Sequence, residues 1–129
     1  MTETKDIHYW QSLRFRDAET MIAFLEAIGF REHAIYRDEQ DPAAVLHAEY
    51  LWEGGGGVMF GTAPHEPDGL VGHASAYLVT ADPDALFDRA VAAGATVMRP
   101  MVDQDYGGRG GTVADPEGNQ WSFGSYQPS

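Results

Sequence analysis

His47 and Glu49 stand two residues apart in one extended stretch, so they share a face of a strand and can serve as an acid–base couple or as two ligands of a divalent ion. His73 and Ser75 repeat that spacing as a potential base and hydroxyl nucleophile. Such residues on a half-exposed sheet face are more commonly solvated or hydrogen-bonded to one another. His8 falls on the same face as Trp10, while His33 and His65 read as loop or edge residues. No cysteine is present, which excludes disulfides and thiolate chemistry. None of Ser12, Ser75, Ser122, Ser125 and Ser129 sits in a Gly-x-Ser-x-Gly elbow. The glycines at 54–57 do not lead from a strand into a helix and no lysine follows them, so they form a turn and not a phosphate cradle. Tyr106 and Arg109 lie in a loop that glycines 107, 108, 110 and 111 leave free to close over one end of a site.

The elements that position these residues can be read from periodicity. His8 to Phe15 alternates as a strand, with Tyr9, Gln11, Leu13 and Phe15 on one face and Trp10, Ser12 and Arg14 on the other. Asp17 is a helix N-cap, Met21, Ile22, Leu25 and Ile28 form a buried stripe, and Gly29 ends the helix. Extended segments follow near Glu32–Arg37, Val45–Trp52 and Val58–Thr62. Residues 63–72, with Pro64, Pro67 and Gly69, are a linker. The order then begins again. His73 to Thr80 is a strand; Asp82 caps a helix with Pro83 at its first position, a stripe of Leu86, Phe87, Ala90 and Ala93, and Gly94 at its end. Thr96–Met101, Gly111–Asp115 and Gln120–Tyr126 are extended, the last two joined by the turn Asp115-Pro-Glu-Gly-Asn119.

The two halves are copies. Asp17 and Asp82 head helices of equal length 65 residues apart, and Val58-Met-Phe-Gly-Thr62 matches Trp121-Ser-Phe-Gly-Ser125 at an offset of 63. The expected architecture is α+β, a single domain over 1–129 built of two tandem βαβββ modules, 7–62 and 73–127, whose strands form a curved mixed sheet around a cup. One module alone would bury too little apolar surface to stand by itself.

This order, the helix beginning at Asp82, the loop Tyr106-Gly-Gly-Arg109 and the hairpin Asp115-Pro-Glu-Gly-Asn-Gln-Trp121 resemble the vicinal oxygen chelate superfamily. That group contains glyoxalase I, extradiol dioxygenases, fosfomycin-resistance enzymes and bleomycin-binding proteins. Its metal enzymes hold a divalent ion through His, Gln or Glu from the first and last strands of each module. By position, the resemblance places those four ligands at Trp10, Met59, Ser75 and Ser122. None is an expected ligand, since indole does not coordinate, and thioether and neutral hydroxyl are poor partners for such ions. The expectation is therefore a protein with no metal and no cofactor.

The cup is expected to receive Trp10, Ser12, Arg14, Met59, Ser75, Tyr77 and Ser122, closed by Tyr106 and Arg109, an aromatic and hydroxyl lining suited to an organic ligand. From the third strand either Tyr50 and Trp52 or His47 and Glu49 face in. Eight Lys+Arg against twenty Asp+Glu give a net charge of −12, which argues against nucleic acid and anionic membrane surfaces and permits a cationic ligand, although the more common role of such surface acid is solubility. The absence of a long apolar run, and of a basic, apolar start, points to a cytoplasmic protein. The resemblance implies a homodimer that sequesters a flat aromatic or cationic molecule, as bleomycin-resistance proteins do for an antibiotic. The alternative it implies is a lyase, isomerase or dioxygenase with a displaced or non-metal site.

Overall fold

Ten elements make up the computed structural model, which describes residues 7–62 and 71–128; His65 and most of the inter-module linker lie outside them. In chain order they are β1 (Trp10–Phe15), α1 (Ala18–Ala27), β2 (Phe30–Arg37), β3 (Val45–Trp52), β4 (Gly57–Thr62), β5 (Ser75–Val79), α2 (Pro83–Ala92), β6 (Thr96–Asp103), β7 (Arg109–Ala114) and β8 (Gln120–Gly124). This is βαβββ twice, as the repeat requires. Both helices begin as expected, the Asp17 carboxylate accepting from Thr20 N and the Asp82 carboxylate from Ala85 N. Both end at a glycine with positive φ, +101° at Gly29 and +107° at Gly94, the conformation that closes a helix without Cβ strain. Asp17 also accepts the Thr20 hydroxyl, and that bond, with the backbone one, holds its carboxyl below the ordinary value.

Each module closes its own four-stranded sheet, β1-β4-β3-β2 in the first (sheet A) and β5-β8-β7-β6 in the second (sheet B). The first and last strands of a module run parallel, β1 on β4 and β5 on β8, and the other pairs are antiparallel. The strands do not join into one curved sheet within the chain. β1 and β5 are both edge strands, and the modules are instead united by a common core. The inner faces of both sheets and both helices bury it together: Phe24 of α1 meets Trp121 of β8 at 6.2 Å between ring centroids, and Phe30 meets the same indole at 5.9 Å. The described residues leave the opposite face of each sheet open.

Tyr50 belongs to the core and is 1% exposed. Burial, and next the charge of Glu32 beside its hydroxyl, push its phenol up from 10.0 to about 12. The folded value lies above the unfolded one, so the contribution of neutral Tyr50 is complete below pH 10 and is lost as pH rises from about 10 to about 12. Denaturant midpoints measured at about pH 9 and about pH 11.5 should fall further in the wild type than in Tyr50→Phe. An equal fall in both proteins would remove Tyr50 as the source.

Candidate functional site

On sheet A the open face carries Trp10, Ser12 and Arg14 from β1, Met59 and Gly61 from β4, and His47 and Glu49 from β3. β3 thus turns His47 and Glu49 outward and buries Tyr50 and Trp52, whose indole donates to the Ile28 carbonyl at 3.0 Å. The Trp10 ring lies against Gly57, where any Cβ would collide with it. His47 Nε2 is 2.9 Å from Glu49 Oε2, and His33 approaches the other carboxylate oxygen at 4.0 Å. A cavity of about 250 Å³ opens over Gly61, lined by Ser12, Arg14, His47 and Met59 among others.

Sheet B carries Ser75, Tyr77 and Ser122 on its open face. Tyr77 leans over Gly124 and donates to the Tyr126 carbonyl at 2.8 Å; burial first, then the nearby Tyr106, raises its phenol above the ordinary value. Ser122 Oγ is taken up by Thr112 Oγ1 at 2.7 Å. Tyr106 packs edge-on against Tyr126, centroids 5.0 Å apart. Between the modules runs a further groove of about 400 Å³, where Ser75 and Tyr77 meet Tyr9, Gln11 and Trp52 above a floor that includes Trp121.

Of the nine residues expected to form one site, seven fall into two groups. Trp10, Ser12, Arg14 and Met59 stand together on sheet A, and Ser75, Tyr77 and Ser122 on sheet B. Tyr106 is near the second group. Arg109 is directed elsewhere: its Nε lies 2.9 Å from Asp84 Oδ2 and Nη1 3.3 Å from Asp103, and the Asp84 bond raises its already high pKa. It ties β7 to the first turn of α2. The loop before it is pinned as well, Gln104 N donating to the Gly108 carbonyl and Arg109 N to Ser125 Oγ. Gln11 and Tyr9 of the groove carried no sequence signal beyond strand alternation.

A family model described as the Glyoxalase/Bleomycin resistance protein/Dioxygenase superfamily matches residues 7–123. The chain belongs to this superfamily. TioX from Micromonospora sp. ML1 superposes on this superfamily member with a TM-score of 0.73 at 27% identity, over 93% of this chain and 98% of TioX. A glyoxalase/bleomycin resistance protein from Catenulispora acidiphila matches with a TM-score of 0.66 at 20% identity, over 94% and 99% of the two chains. The fosfomycin resistance protein FosX from Listeria monocytogenes, in complex with Mn(II) and a dihydroxypropylphosphonic acid, gives 0.66 at 16% identity over 92% and 90%, a likeness of fold. Uncharacterised proteins of Mycobacterium bovis and Mycobacterium tuberculosis share 52% identity over 48 residues; the match spans 32% and 28% of their lengths.

A divalent ion is the group this superfamily implies, and the residues here do not fit it. Trp10 offers no lone pair, Met59 a soft thioether, and Ser75 and Ser122 neutral hydroxyls, the last already bonded to Thr112. Among the described residues no group of three or more His, Asp or Glu is placed to hold a metal ion. Among them, too, no helix is long and apolar enough to cross a membrane.

Proposed function

We propose that the protein binds a small planar aromatic molecule without a metal ion, in the manner of a sequestering rather than a metal-dependent member of its superfamily. The observation that carries this reading is the exchange at the four ligand positions, where an indole, a thioether and two hydroxyls replace coordinating groups. Trp10 on one open face and Tyr77 on the other then present aromatic rings, the ordinary means of holding a flat organic body. The net charge of −12 helps a cation approach at long range, but contacts within the site select the ligand.

Each open face is half a cup. A second copy that sets its sheet B face opposite sheet A would complete it, and the unpaired edges of β1 and β5 flank the apolar groove such a dimer would cover. Antibiotic sequestration is one biological use of such a cleft, and a cytoplasmic location suits it.

Titration with planar aromatic probes, followed by tryptophan fluorescence and sedimentation, tests the reading. Trp10→Ala should weaken binding of any confirmed probe at least about tenfold, the loss of one stacked aromatic contact with its buried area. Removal of metals with EDTA should leave affinity unchanged. Unchanged affinity in Trp10→Ala, or a stoichiometric bound metal required for binding, would overturn it.

A further inference from the structure

Because the modules share one plan, their open faces can be compared row by row. On sheet B the row across the C-terminal end of β5 is Val79, Gly124, Gly110 and Val102, each paired in register with the next. It has no polar side chain. On sheet A the corresponding positions are occupied very differently. Arg14 is in register with Gly61, and Tyr36 with His47, while Gly61 and His47 line one cavity. The row's own polar side chains belong to the first module, while in the second the Tyr77 hydroxyl and the Gln104 amide lie over the two glycines; Gly61, lacking a side chain, leaves the cavity floor at backbone level beside Arg14 and His47.

The walls of that cavity are built to donate. Arg14 has a contact of its own, but a guanidinium carries five N–H donors and serves more than one acceptor. Ser12 lines the same cavity. Among the described residues, the carboxylate nearest His47 is Glu49, which is not part of the lining; it holds His47 at 2.9 Å, and the imidazole lies nearly parallel to the Tyr36 ring at 24°. Along β1, Ser12 and Trp10 follow Arg14 at steps of about 7 Å, so a flat body with its head at Arg14 would lie over Met59 toward Trp10 within about 13 Å.

We infer that the cavity over Gly61 is a subsite for an acidic head group, and that the ligand class is an aromatic carboxylate. Arg14 is its counter-ion, Ser12 supplies a hydroxyl, and His47, held by Glu49 through Nε2, walls the subsite. The overall negative charge does not oppose this at contact range, because exposed charges farther than about 8–10 Å are screened in physiological salt. This inference rests on the aromatic-binding reading above.

The test uses three probes with one ring system: 2-naphthoate, 2-naphthamide and 2-naphthylmethylammonium. Wild type should bind the carboxylate at least about tenfold more tightly than the amide, the size of one charge-assisted hydrogen bond. Arg14→Met should erase that advantage, and an unchanged circular dichroism spectrum and melting temperature report that it is folded. Arg14→Lys should keep part of it, and His47→Gln should reduce it. Equal binding of carboxylate and amide, or tightest binding of the ammonium, overturns the acidic subsite and leaves the aromatic reading standing. Binding of none of the three removes both.

Discussion

Asp115→Ala should cost about 4 kcal/mol of stability and lower the melting temperature by about 12–20 °C. Asp115 is 5% exposed, and its carboxylate is the acceptor for a whole corner of the molecule. One oxygen takes Glu117 N at 2.9 Å and Asn119 N at 3.0 Å; the other takes Asn119 Nδ2 at 3.0 Å and Trp121 Nε1 at 2.9 Å. Trp121 and Asn119 are each 1% exposed, so water cannot replace the lost acceptor. Asn119 Oδ1 in turn accepts from Ala74 N at the entry to β5, and Glu117 of the same turn accepts from Arg16 N and Asp17 N at the start of α1. The turn is a joint between β7, β8, β5 and the first module. Asp115→Asn should lose about half as much, since it keeps one oxygen but can present an amide donor to the indole N–H. Chemical denaturation of the three proteins measures this, and a loss below about 1 kcal/mol in Asp115→Ala would show that the corner relaxes to find other acceptors.

That corner shows where reading the sequence reached its limit. Asp115-Pro-Glu-Gly-Asn119 was legible as a turn because turn chemistry is local, and Gly118 does adopt φ +102°. Its role as a hydrogen-bond hub depends on Trp121 and Ala74 arriving from elsewhere. The two helices were legible for the same local reason, with cap, stripe and terminal glycine all within thirteen residues. The repeat then located the four ligand positions without a structure. The facing of β3 was not legible, because Tyr50, Leu51 and Trp52 are all buried and the alternation fails there, with register shifts in its pairing to β2. Nor was the partner of Arg109, since Asp84 lies 25 residues away and only the packing of α2 on β7 brings it close. The separation of the site into two faces follows from β1 and β5 remaining edge strands, a property of how the modules pack and not of either module's pattern.

The manner of that packing makes the second large effect. Phe24→Ala should destabilise the protein by about 3–5 kcal/mol. Phe24 is fully buried on α1, yet one of its ring partners is Trp121 of the other module. A core confined to each half would let the halves unfold separately; a core shared through Phe24, Phe30 and Trp121 makes them one cooperative unit. Calorimetry of Phe24→Ala should accordingly show a single transition, shifted as a whole, in which probes of both modules move together. Two resolved transitions, with only the first module's displaced, would refute the shared core. Asp115 and Phe24 both act on Trp121, one fixing its indole N–H and the other packing its ring. The double variant should therefore lose less than the sum of its parts, by about 0.5–3 kcal/mol, because once either support is gone the indole has less ordered structure for the other to hold.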